Sequence, residues 1–165
     1  DPAYVAEMIA MLQQNPKLDM VIASRYQKGS QIKGLAAYRK LLSYGCFFML
    51  KALAPFKNVR DYSTGFRCYR SSILNRVATQ FDGKLIEENG FVCQLELLLK
   101  MRTIRAEVAE IPYVLRYDLK EGVSKLRIWR TVKRYFAVIA KHRHVLPETS
   151  AAMPAGLKSP TQARA

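Results

Sequence analysis

Acidic residues are scarce in this sequence. Thirteen Asp and Glu stand against 27 Lys and Arg, a formal net charge of +14. No acid falls between Asp19 and Asp61, and none between Gly122 and Pro147. A basic excess of this size points to an anionic partner: nucleic acid, a membrane surface or a phosphorylated substrate. Cysteine is sparse too. Cys46, Cys68 and Cys93 are odd in number and widely spaced, which argues against a disulfide framework and offers no metal-ligand spacing; reduced, packed thiols in a cytosolic compartment are expected. No apolar run approaches the roughly 20 residues that span a bilayer. The longest, residues 44–50, stops at Lys51, so a membrane contact would be peripheral. An initiator Met and a signal peptide are also missing. Asp1-Pro2-Ala3 reads as a helix opening, with Asp as N-cap and Pro at the first helical position, and a truncated N-terminus is expected from it.

Half of the residues are apolar, enough for one domain with a real core over residues 1–146. Val5, Met8, Ile9 and Leu12 recur at helical spacing, so 2–14 reads as a helix ended by Asn15-Pro16. Residues 18–23 read as a buried strand and 24–33 as a loop. Helices are expected over 36–54, 71–79, 87–101 and 124–142, the last capped by Ser124. Short strands are expected within 59–69 and over 103–117, broken at Pro112. From Pro147 onward the chain is rich in Ala, Pro and Ser, and 147–165 reads as a disordered tail. Alternating helices and strands make an α/β fold the expectation, although about three strands are few for such a sheet.

The two acid-free windows hold apolar helices with basic flanks. Arg39, Lys40 and Lys51 lie in the first. Lys125, Arg127, Arg130, Lys133, Arg134, Lys141 and Arg143 lie in the second. Such helices suit a membrane interface, where Trp129 and Tyr135 favour the headgroup level. A solvated basic surface is the plainer reading. Nucleic acid is not the expected partner: zinc-finger spacing and an RNP-type aromatic strand are both missing, and the run Phe47-Phe48-Met49-Leu50 fits a groove-reading helix poorly.

The most informative constellation is Ser24-Arg25-Tyr26, then Tyr38-Arg39-Lys40, then Ser43. Arg39 and Ser43, four apart, share a helical face. Arg25 ends a strand, where open α/β sheets bind ligands. Two guanidinium groups and a hydroxyl can hold a phosphate monoester by forked, charge-assisted hydrogen bonds; a pair of surface arginines is the structural alternative.

Five ordered segments carry a resemblance. They are Val21-Ile22-Ala23-Ser24-Arg25-Tyr26 with the Arg39/Ser43 helix; Asp61-Tyr62-Ser63-Thr64-Gly65-Phe66-Arg67-Cys68-Tyr69-Arg70; Gly90-Phe91 with Glu96-Leu97; Glu110-Ile111-Pro112; and Arg116-Tyr117 with Gly122-Val123-Ser124-Lys125-Leu126. Together they resemble family 2 glycosyltransferases of the polyprenyl-phosphate (dolichyl-phosphate mannose synthase) type. The second segment departs from the family's D-x-T-S-G-F-R-x-Y-R pattern by exchanging Ser and Thr. The likeness covers residues 1 to about 135.

The resemblance implies the C-terminal half of a GT-A fold with amphipathic interface helices over 36–54 and 125–143. It implies transfer of a hexose, mannose from GDP-mannose, to a polyprenyl or dolichyl phosphate at the cytoplasmic membrane face, with the fragment alone inactive. UDP-glucose or another UDP-sugar is the alternative donor; a non-catalytic basic module on anionic lipid or nucleic acid is the alternative from outside the enzymes. Arg25, Arg39 and Ser43 would hold the acceptor phosphate. Asp61, Ser63, Thr64 and Gly65 would shape the sugar pocket, with Gly65 permitting a tight backbone approach. Arg116, Ser124 and Lys125 would contact the donor diphosphate. Mg²⁺ or Mn²⁺ is implied for the full-length enzyme, on an acidic D-x-D stretch expected upstream of Asp1; no metal site is expected within these residues. Structural roles stand beside these: Asp61 capping its turn, Arg67 and Arg70 at the surface, Glu96 paired in the core.

Overall fold

The structure is a computed structural model that describes residues 2–119 and 128–142. Its centre is β1 (Met20–Ser24), all five residues of which are buried. β1 pairs in parallel with β4 (Val108–Pro112) and antiparallel with β3 (Arg67–Tyr69), giving the order β3-β1-β4. Side chains alternate across a strand, and β1 uses both faces. Val21 and Ala23 pack with Met8, Leu12 and Ile111 on one side. Met20 and Ile22 join the larger core on the other, with Leu50, Ile73, Leu95 and Leu98.

The first face is covered by α1 (Ala3–Gln14). Its expected apolar stripe divides: Met8 and Leu12 are buried, while Val5 and Ile9 are each 42% exposed. Pro2 occupies the N-cap position, its carbonyl accepting from Val5 and Ala6. Asp1, the expected cap, lies outside the described residues.

The second face is covered by α3 (Ser71–Gln80), α4 (Val92–Thr103), the end of α2 (Ala37–Leu53) and α5 (Ile128–Lys141). α4 begins five residues later than the sequence reading has it. Gly90, at φ 68°, turns the chain in the left-handed region just before it, and the loop ahead of it is tied down by Glu96. That buried carboxylate accepts the N–H groups of Glu87 and Glu88 and pairs with the equally buried Lys100 at 2.8 Å. Glu96 therefore does pair in the core. α4 is buried on more than one side, since Leu95 through Met101 are all inaccessible.

The stretch read as a loop before α2 holds β2 (Gln31–Lys33), which pairs in parallel with β5 (Val114–Arg116) as a second, two-stranded sheet. The break in the 103–117 strand falls at Tyr113 and not at Pro112. Pro112 ends an edge strand, where its missing N–H costs no ladder bond, and the Tyr113 N–H turns to the Ser24 carbonyl. A short 3₁₀ turn, η1 (Tyr117–Leu119), packs its backbone against Gly34 so closely that a Cβ there would lie 2.5 Å from the Asp118 nitrogen. Among the described residues there are five strands, where the sequence pattern showed about three.

α5 turns Tyr135 and Val138 into the core, and Tyr135 is 4% exposed. This corrects its expected place at a headgroup level; the neighbouring Phe136 is the exposed aromatic, at 48%. Ser124, expected to cap this helix, and the 147–165 tail lie outside the described residues. No helix among the described residues is long and apolar enough to cross a membrane.

Candidate functional site

The buried run of β1 ends at Ser24, and the next residue, Arg25, emerges at the carboxyl end of the strand. Its guanidinium is claimed from within. Nε donates to Asp61 Oδ2 at 2.8 Å, Nη2 donates to Asp61 Oδ1 at 2.7 Å and to Ser63 Oγ at 2.6 Å, and its backbone N–H reaches Oδ2 at 3.0 Å. The Asp61 carboxylate is fully buried and the Arg25 side chain 18% exposed. Burial opposes charge on both. The forked pairing overcomes it, holding Asp61 below the usual carboxylate range and raising Arg25 above its own.

Asp61 also caps its own turn, accepting from the N–H groups of Ser63 and Thr64. Thr64 is buried and its hydroxyl accepts from Phe66 N. Both Asp61 oxygens are thus engaged by protein donors. Gly65 has no positive φ, and a Cβ there would meet only the Gln94 side chain at 3.6 Å, an ordinary contact. Arg67 and Arg70 are half-buried, with their guanidinium groups on backbone carbonyls. Arg67 donates to the carbonyls of Gln94 and Tyr62. Arg70 donates to those of Leu12, Asn15 and Leu18, closing the end of α1.

Ser43 reaches this cluster through a residue without an assigned role. Tyr26 places its hydroxyl 2.6 Å from Ser43 Oγ and 3.2 Å from the Ser43 carbonyl oxygen. Its ring packs on Phe47, with centroids 4.8 Å apart, and lies 5.4 Å from the Arg25 guanidinium carbon. Burial pushes the Tyr26 phenol up, against the Ser43 hydrogen bond. Arg39 lies one turn before Ser43 on α2, but its Nε donates to the Tyr38 hydroxyl at 3.0 Å. The structure therefore joins Arg25, Asp61 and Ser63 directly and Ser43 through Tyr26. Among the described residues, no hydrogen bond links Arg39 to Asp61, Ser63 or Tyr26.

Two more groups close the site from behind. Glu110 on β4 accepts the N–H groups of Arg60 at 2.7 Å and Asp61 at 2.8 Å. Burial pushes its carboxyl up, while those N–H groups and the Ser24 hydroxyl hold it down. Tyr135, from α5, is pushed up to about 12 by burial and the field of Cys46, with Arg25 and Arg67 opposing. Glu110 was visible in the sequence only as part of a motif, and Tyr135 only as an aromatic in a basic helix.

Arg116 is the exposed last residue of β5, with its guanidinium forked onto Asp118 at 2.7–3.0 Å. Ser124 and Lys125, its expected companions, are outside the described residues. Among the buried carboxylates, Asp61 serves Arg25, Glu96 serves Lys100, and Glu110 Oε1 serves two backbone N–H groups. No cluster of three metal-ligating side chains occurs among the described residues. The three cysteines are half-buried free thiols.

No family model matches this chain. The class of protein it is similar to is a glycosyltransferase: over 110 residues it is 29% identical to a curated relative, which spans 66% of this chain. That relative is a dolichol-phosphate mannosyltransferase from Pyrococcus furiosus, and the matched segment is 28% of its length. The likeness and the mixed α/β sheet support a glycosyltransferase-like relationship at a distance.

Proposed function

We propose that this chain is the acceptor-binding part of a polyprenyl-phosphate glycosyltransferase with a GT-A fold. It passes a hexose, mannose from GDP-mannose, to a dolichyl or other polyprenyl phosphate. The observation that carries this reading is the Tyr26–Ser43 hydrogen bond, which fastens α2 to the strand end where Arg25 emerges. It brings a guanidinium and a serine hydroxyl to one place, and the named relative acts on a lipid phosphate.

Arg25, Arg39 and Ser43 hold the acceptor phosphate. Arg25 already gives Nε and Nη2 to Asp61 and Ser63, so the phosphate meets its Nη1 side. Arg39 swings from Tyr38 to complete the charge. A phosphate monoester has its second pKa at about 6 and is already ionised at neutral pH, so no strong base is needed. Its oxygen attacks the anomeric carbon, the bond to the nucleotide diphosphate breaks, and the sugar is inverted. Arg116, Ser124 and Lys125 offset charge on the departing diphosphate. Asp61, Ser63, Thr64 and Gly65 wall the sugar pocket. A divalent ion, if the whole enzyme uses one, supplies charge to the diphosphate from residues other than these. UDP-sugars are the alternative donors.

Membrane contact belongs to the same proposal. Along α2, Leu41 is 74% exposed, Phe48 65% and Tyr38 59%, beside Arg39, Lys40 and Lys51. An apolar helix face with a basic border suits an anionic leaflet, through 36–54 and with 125–143 as the second contact at the cytoplasmic face. The same exposed face favours the second reading, a non-catalytic module on anionic lipid.

Binding of a short prenyl phosphate in micelles tests the proposal. The phosphate should bind and the free prenol should not, and Arg39→Ala should weaken binding about tenfold, as loss of a charge-assisted contact does. Equal binding of prenol and prenyl phosphate would remove the phosphate cradle. Membrane binding that persisted in that case would leave the lipid-docking module.

A further inference from the structure

Glu110 lies one hydrogen bond away from the site without touching it. It is on β4, in register with Ile22 of β1, and its Oε1 takes two consecutive backbone N–H groups, those of Arg60 and Asp61. A carboxylate holding two adjacent N–H groups fixes the peptide plane between them and hence the direction in which the second side chain leaves. That side chain is Asp61, whose two oxygens set the position of Arg25 at 2.7–2.8 Å. β4, the 58–64 turn and β1 are thus connected in the order Glu110, Asp61, Arg25.

We infer that Glu110 is a positioning residue that aims Arg25 at the acceptor phosphate by clamping the backbone of Asp61. The inference rests on the proposed acceptor site for its purpose, though not for its geometry. A neutral side chain of the right shape would fill the space. Only an acceptor of matching reach keeps both N–H groups bonded, because an unmatched buried N–H is costly.

The same arrangement makes the clamp respond to pH. The groups that act on Glu110 are Asp61, Arg60 and Tyr62 from the turn and the Ser24 hydroxyl from the end of β1. Asp61 titrates below the ordinary carboxylate range and Glu110 above it, so the two steps separate. Protonated Glu110 is a weaker acceptor than the carboxylate.

The test reads Arg25 itself, by the Nε–H signal in ¹H–¹⁵N NMR of the chain without ligand, and then prenyl-phosphate affinity. In Glu110→Ala the Nε–H should exchange with solvent about tenfold faster or more, as expected when a hydrogen bond to a charged group loosens. Glu110→Gln, which keeps one acceptor oxygen, should restore most of the protection and abolish the pH step that the wild-type signal shows above the ordinary carboxylate range. If Glu110→Ala does not fold, the Glu110→Gln pH profile decides alone. An Arg25 signal unchanged in folded Glu110→Ala, or a pH step that persists in Glu110→Gln, would overturn the inference. If the Arg25 signal responds as expected while prenyl phosphate never binds, the positioning role stands and the acceptor reading fails.

Discussion

Arg25 and Asp61 meet at three hydrogen bonds, two from the guanidinium and one from the Arg25 backbone, with the carboxylate fully buried. Taking away one member leaves the other without its counter-charge in a dry place. Arg25→Ala is therefore expected to cost about 3–5 kcal/mol of folding stability, measured by urea denaturation. Arg25→Lys should recover only part of it, because an ammonium cannot fork onto both oxygens.

Acid should act on this pair and on Glu110 with opposite signs. The folded pKa of Asp61 lies below its ordinary 3.8. Its contribution is present above that value and is lost as pH falls through the folded pKa. The folded pKa of Glu110 lies above its ordinary 4.5. Its stabilising share is complete below 4.5 and is lost as pH rises through the folded value, so ionised Glu110 weighs against the fold. Stability of wild type relative to Glu110→Gln should thus rise as pH falls through the folded value toward 4.5, as followed by denaturant titration at each pH. A difference that does not vary across that range would contradict the assigned burial.

A second ion pair lies in α4, where Glu96 and Lys100 are both inaccessible and 2.8 Å apart. Lys100 also donates to the Lys84 carbonyl, and Glu96 holds the loop that precedes the helix. Glu96→Ala and Lys100→Ala should each cost about 3–5 kcal/mol. The double substitution should cost clearly less than their sum, since it leaves no lone buried charge. Chemical denaturation of the four proteins closes the cycle.

Tyr26 joins the strand end to α2, and its hydroxyl bond to Ser43 should be worth about 0.5–1.5 kcal/mol. Tyr26→Phe and Ser43→Ala should each lose that much, and their combination little more, because both remove one bond. Additive losses would show that the two hydroxyls act separately.

Helices α1, α2 and α3 were legible in the sequence because their apolar spacing and terminating Pro or Gly act locally. β2 and β5 were not: three-residue strands carry no alternation to read and exist through each other. The start of α4 was misplaced because Glu87 and Glu88 favour helix by propensity, while the left-handed Gly90 and the buried Glu96 carboxylate decide against it. The candidate site was legible residue by residue but not in its connections. Arg25 and Asp61 are 36 positions apart, and nothing local marks them as partners. Ser43 was expected to face Arg25, and it does so only through Tyr26. Tyr135 reads as an interfacial aromatic from its basic neighbours; burial could be known only from what α5 packs against.

The exposed face of α2 gives the test of the membrane proposal. Leu41 and Phe48 are 74% and 65% exposed, and Lys40 and Lys51 border them. Each basic residue near an anionic surface contributes on the order of 1 kcal/mol. Lys40→Ala with Lys51→Ala should then lower partitioning onto phosphatidylserine-containing vesicles by about 2 kcal/mol, roughly thirtyfold. Raising the salt should weaken the wild type more than the double variant, since screening acts on the charges that remain. Leu41→Ser with Phe48→Ser should weaken binding equally at low and high salt, because it removes apolar contact and not charge. Vesicle flotation separates the two effects, and wild-type protein that floats no better than either pair would remove the membrane from the proposal.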